Sequence, residues 1–364
     1  MKTTRRNSAL PTQPWSLALA AVMIVAAISL PRTVLATEQP VLHILGWEDY
    51  LDPELAAEFG KKHGVRVEET YFESDTERDR RLAAAGGAGF DLVIVDQAQL
   101  PVYRDRGWIA PIDASQVPGL RHYNPRWRQA SDGSATHAVP FAWGTVGIAY
   151  RADLVREPPR SWLALFQPDA TLCGKIKVFD DARELLGTAL KATGSSANAR
   201  EPGDYRKAEQ LLREQRPCVA RYGVTGSDEE ADLVTGAVWA AMAYNSDALM
   251  LQEFDTNIRF VLPTEGGLVW VDYMAVLATS TQKPLAYAFL EFLSDPAIGA
   301  RQALFSQAAT PNVEALARLP AGIRSNQDIY PPEAMLAASE MLIAAPPAVM
   351  AIRNQIHAKV VTAK

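Results

Sequence analysis

Cysteine is almost missing from this chain: Cys173 and Cys218 are the only two in 364 residues. Two cannot build the framework of a disulfide-rich scaffold, and without suitably spaced companions they make no zinc site. Histidine is nearly as scarce, with five scattered residues and no metal-ligand spacing. Basic charge is in deficit, 36 Lys and Arg against 42 Asp and Glu, so the broad basic face of a nucleic-acid binder is not expected. The signatures of enzyme classes are missing as well. There is no G-x-S-x-G, no H-E-x-x-H and no phosphate-cradling P-loop, and "GGAGFD" precedes a strand instead of joining strand to helix. Nothing here requires a cofactor.

What is present begins with a leader. Lys2, Arg5 and Arg6 precede an apolar run from Leu17 to Leu30, and Val34-Leu35-Ala36 offers small residues for cleavage. The run is shorter than the ~20 residues of a spanning helix, and Pro31-Arg32 interrupts it. Residues 1–36 are therefore expected to be a cleavable signal peptide, which implies a periplasmic protein that does not span the membrane. Its removal takes away four basic residues and no acidic one, leaving 32 basic against 42 acidic and a net charge of −10. Such a surface suits a cationic partner.

From Val41 onward, apolar runs alternate with amphipathic ones, the pattern of a largely parallel α/β sheet. "VLHIL" predicts a first strand; "DPELAAEFGKKHG" predicts a helix capped by Asp52, with Pro53 at its first position and Gly64 closing it. Two long extended stretches, "THAVPFAWGTVGIAYRADLV" and "EGGLVWVDYMAVLA", are each followed by a fresh set of elements. Two crossings predict two discontinuous lobes with a cleft between them: 37–140 plus 272–316, and 141–271 plus 317–364. Cys173 and Cys218 each open an apolar strand, and a strand–helix crossover between them would set those strands parallel. Adjacent strands lie about 4.8 Å apart, within disulfide reach, so one bond is expected.

Three stretches carry candidate chemistry. In "KVFDDARELL", Asp181 and Glu184 have the spacing of a capping box, but they also follow an apolar strand, where ligands of open α/β sheets bind. Cap and site are compatible, and both readings stand. In "LVWVDYMAV", Trp270 and Asp272 share one face of a strand, which places a carboxylate in an apolar segment. Such a group needs a cation: either an arginine of the protein, or an alkylammonium that also stacks on the indole. In "GWEDYLDPE", Trp47 and Tyr50 fall in the loop after the first strand, and "MAYNSDAL" adds Tyr244, Asn245 and Ser246. Paired carboxylates and aromatic platforms also equip a glycosidase, so a secreted carbohydrate-active enzyme is the alternative. An acid with a raised pKa would favour it.

Taken in order, "HILGWEDYLDPELAAEF", "FDLVIV", "VPFAWGTVGIAY", "DDARE", "YNSD", "EGGLVWVDYMAV" and "TPN" resemble the bacterial spermidine/putrescine-binding periplasmic proteins across nearly the whole chain after the leader. The resemblance implies a two-lobed type II periplasmic binding fold. It implies a monomer that is not an enzyme, binds a polyamine-like amine between aromatics and carboxylates, and delivers it to an ABC permease. Positions matching that family's site are Trp47, Tyr50, Asp181, Glu184, Tyr244, Trp270 and Asp272, with Tyr244 where the family often has Trp. Two departures stand out. Asp96-Gln97-Ala98-Gln99 replaces a serine followed shortly by an aromatic, and "EMLIAAPPAV" offers no glutamine near the C-terminus. They imply a ligand other than plain spermidine, a shorter or functionalised amine with a polar group meeting Asp96 or Gln97.

Overall fold

The computed structural model describes residues 39–128 and 134–362; the expected signal peptide lies outside them. Among the described residues ten strands are interspersed with helices: β1 Val41–Gly46, β2 Arg66–Tyr71, β3 Leu92–Asp96, β4 Val139–Arg151, β5 Ile176–Val178, β6 Val219–Tyr222, β7 Ala240–Tyr244, β8 Ile258–Val261, β9 Leu268–Val276 and β10 Glu340–Met341, with β6 followed directly by β7 and β8 by β9. The first helix, Pro53–His63, starts and stops where its residues dictate. The Asp52 side chain accepts from the Glu54 N–H, Pro53 needs no N–H at that position, and Gly64 takes the left-handed conformation, φ 67°, that closes the helix.

The strands form one sheet in the order β2-β1-β3-β9-β4-β7-β5-β6, with β10 added to β9 and β8 to β4. At one end β2, β1 and β3 are parallel, and at the other β7, β5 and β6 are parallel. Between them run β9 and β4, antiparallel to each other and to their outer neighbours β3 and β7. The fold is thus two α/β lobes joined through two extended strands. Both expected lobe boundaries, at 140 and 271, fall within those shared strands. The residues before β7 form turns, so that strand begins only at Ala240.

Each lobe has its own core. Leu42, Phe59, Leu92, Val139, Met274 and Phe289 belong to one cluster, and Val146, Trp162, Ile176, Leu186, Met242 and Leu268 to another. A third cluster crosses the seam, with Leu249, Ile329 and Leu336 beside Phe72 and Tyr103. Cys173 and Cys218 form a disulfide with a Cα separation of 4.3 Å, and β5 and β6, which they precede, are parallel neighbours as expected. Among the described residues no helix is long and apolar enough to cross a membrane.

Candidate functional site

The site is built on the strands shared by the lobes. Trp270 and Asp272 lie on one face of β9, and Trp270 stands opposite Gly144 of β4. A β-carbon at Gly144 would come within 2.5 Å of the indole and 2.3 Å of the Asn245 side-chain oxygen, so only glycine admits the ring here. Asp272 pairs in register with Asp96 of β3. Its carboxylate accepts from the Tyr50 hydroxyl at 2.9 Å and makes no ion pair with an arginine among the described residues. The arginine alternative for Asp272 is therefore not what the fold provides. Burial raises the Asp272 carboxyl to about 7, assisted by Asp96. Tyr50, edge-on to Phe141 at 5.3 Å, is pushed well above its usual value by burial and by Asp272. Trp47, in the same loop, packs against Phe72 at 4.2 Å.

From the other side comes the helix Ala182–Ala192. Asp181 caps it, its Oδ1 accepting from the N–H groups of Arg183 at 2.8 Å and Glu184 at 2.9 Å. The capping box is only half formed, because Glu184 does not return to the cap. Its two oxygens accept instead from the Tyr244 hydroxyl at 3.0 and 2.9 Å. Burial first, and then Asp181, pushes the Glu184 carboxyl up to about 8. Tyr244 packs on Phe179 at 5.0 Å and meets Trp270 edge-on at 6.2 Å, which makes a continuous aromatic wall. The Trp270 Nε1–H is buried with no hydrogen-bond partner among the described residues.

Three contributors escaped the sequence reading. Asp247, in the first turn of the helix Asn245–Phe254, is raised to about 7 by burial, and its charge reaches Tyr50. The acid in "YNSD" was the available signal. Arg78 and Arg183 are the other two. Arg78 is fully buried; it pairs with Asp75 at 2.8 Å, Asp79 at 3.3 Å and Asp96 at 3.6 Å, and donates to the Tyr103 hydroxyl at 2.7 Å. Arg183 pairs with Asp75, with Asp96 at 3.5 Å and with Asp181 at 3.7 Å. Asp96 is consequently turned toward protein cations. Burial works against its ionisation, yet Arg183 and Arg78 hold its carboxyl below the usual range. Gln97 is engaged as well, accepting from the Val271 N–H at 2.8 Å and donating to the Leu342 carbonyl at 3.2 Å. Asp96 Oδ1 accepts from the N–H groups of Ala98 and Gln99, while its Oδ2 is buried without a hydrogen-bond partner among the described residues.

This arrangement can hold a cation: carboxylates without protein counter-ions line an aromatic wall. Known proteins are similar to it. The norspermidine sensor of Vibrio cholerae is 32% identical over 298 residues, covering 81% of this chain and 82% of the sensor. The putrescine/agmatine-binding protein of Pseudomonas aeruginosa is 28% identical over 362 residues, covering 92% and 98%. Among solved structures, the substrate-binding protein of a spermidine/putrescine ABC transporter from Streptococcus pneumoniae superposes with a TM-score of 0.79 at 25% identity, covering 88% of this chain and 98% of that one. Residues 54–327 match the family model described as bacterial extracellular solute-binding protein, and the chain belongs to that family.

Proposed function

We propose that this protein captures a polyamine-like cationic amine in the cleft between its lobes and delivers it to an ABC permease from the periplasm, after export by its signal peptide. The observation that carries the reading is the set Glu184, Asp247 and Asp272: three carboxyls raised to about 8, 7 and 7, none ion-paired with a protein cation among the described residues, beside Tyr50, Tyr244 and Trp270. Burying an unpaired carboxylate is unfavourable, and a bound ammonium relieves that cost. The similarity to polyamine-binding proteins and to a norspermidine sensor supports the same ligand class.

We further place the lobe boundaries in β4 and β9, with 37–140 plus 272–316 in one lobe and 141–271 plus 317–364 in the other. The core that gathers Val146 with Leu342, Val349 and Ile356 supports putting the C-terminal segment in the second. The contacting residues are Trp47, Tyr50, Glu184, Asp247, Trp270 and Asp272, with Asp181, Tyr244 and Asp96 around them.

Raised carboxyls also suit the acid of a glycosidase, so they do not by themselves separate the two readings. Family membership does, since the reported relatives are binding proteins and a sensor. Calorimetric titration with a panel of diamines and triamines, with mass spectrometry of the recovered ligand, tests the proposal. Saturable binding of an amine returned unchanged is expected; its conversion, or binding of sugars alone, would overturn it.

A further inference from the structure

The acidic groups of the cleft divide into three poles, and one of them already holds a cation. At the first, Glu184 accepts from Tyr244. At the second, Asp272 accepts from Tyr50, whose hydroxyl also feels Asp247. Neither pole forms an ion pair with a lysine or arginine among the described residues, although the charge of Arg183 reaches Glu184 and that of Arg78 reaches Asp272. Trp270 lies between them, edge to face with Tyr244 and two residues from Asp272 on β9. The third pole is Asp75, Asp96 and Asp181, and the Arg183 guanidinium pairs with all three.

Arg183 is held there from behind. Its backbone carbonyl accepts from Nη1 of Arg353 at 3.2 Å, and Arg353 is itself buried, donating to the Tyr205 hydroxyl and the Ala197 carbonyl. Its side chain is only 18% exposed. Expelling it would strand carboxylates that Arg78 alone cannot neutralise. A ligand ammonium approaching the same carboxylates would meet a like charge in a desolvated cleft, where repulsion is poorly screened.

Resting on the amine reading above, we propose that Arg183 is a tethered cation filling the third acidic pole, so that the cleft accepts an α,ω-diamine and turns away a triamine. Two open poles with one indole between them offer a place for an ammonium at each end of an alkyl chain. Asp96, which stands where the resembling family has serine, supplies the carboxylate that keeps Arg183 in place.

The test compares putrescine with spermidine by calorimetric titration of the wild type and of Arg183→Met, which retains an apolar stem and removes the charge. The wild type is expected to bind putrescine about tenfold or more tighter than spermidine, and Arg183→Met to shift that ratio about tenfold or more toward spermidine. If Arg183→Met does not fold, Arg183→Met combined with Asp96→Ser lowers the unpaired charge and leaves Asp75 and Asp181 for a third ammonium. The same direction of switch is expected. Equal or tighter wild-type binding of spermidine, or an unchanged ratio in the variant, overturns this inference while leaving the amine reading intact. Failure of both amines to bind the wild type overturns the amine reading and this inference with it.

Discussion

Two groups of carboxylates lie side by side in this cleft and differ in one respect. Asp75, Asp79 and Asp96 share the buried Arg78, and Arg183 adds a second guanidinium to Asp75 and Asp96. Glu184, Asp247 and Asp272 have only tyrosine and serine hydroxyls as hydrogen-bond partners among the described residues, and burial pushes all three upward. The first group is ion-paired within the chain and serves the fold. The second is left for an external cation, so it weakens the empty protein and strengthens the loaded one. Proximity to the cleft therefore does not identify a ligand contact; the absence of an internal counter-charge does.

The strongest test breaks the first group. Arg78→Ala should destabilise the empty protein by about 3–5 kcal/mol, because it leaves buried carboxylates without their cation. A denaturant midpoint unchanged from wild type would erase the distinction. Asp272→Asn does the converse. Amine affinity should fall by about 2–5 kcal/mol in a titration, since a desolvated ammonium loses its partner. The melting temperature of the empty protein should hold or rise, and a clear drop would place Asp272 in the structural group.

Acidity sharpens the contrast without mutation. Unfolded, the three open carboxyls titrate at about 4, whereas folded and empty they titrate at about 7 to 8. Between those limits the folded protein holds protons that the unfolded chain has released. Stability of the empty protein should therefore decline as pH rises from about 4 to about 8 and level off above. Bound ammonium favours the ionised forms, so affinity should climb over the upper part of that window, with proton release visible as buffer-dependent binding heat. Affinity flat from pH 6 to 8 would count against open carboxylates. The smallest effect is expected of Asp181→Asn. Asparagine caps as well as aspartate, so stability should stay within about 0.5 kcal/mol of wild type. Amine affinity should weaken modestly, because Asp181 is partly exposed and pairs with Arg183.

What the sequence revealed follows the range of each signal. The Asp52 and Asp181 caps depend on neighbours two or three residues away and were legible. So was Asp272, because a carboxylate interrupting an apolar strand must be accommodated somehow. The alternation of strands and helices announced an α/β sheet, and the two long extended stretches that form β4 and β9 announced two crossings between lobes, but not that these strands pair with each other. Arg78 was hidden for a different reason: within "DTERDRRLAAA" it is one charge among many, and only its tertiary placement buries it. Arg183 carries no local signal either, being one charge between Asp181 and Glu184 in the first turn of a helix. Asp247 gains its meaning only where the start of its helix approaches Tyr50, a relation no local pattern encodes. Charges that answer each other across long sequence separations were the part left unread.

The bond between Cys173 and Cys218 has a consequence for how the molecule matures. With two cysteines in the chain there is one intramolecular pairing and no wrong one. Oxidation therefore needs an electron acceptor but no isomerase to correct scrambled partners, and a chain that folds before it is oxidised already has both thiols presented side by side at the heads of β5 and β6. The same economy leaves no spare thiol: once the bond is closed, the protein offers nothing to thiol-reactive chemistry and cannot be cross-linked to a second copy through sulfur.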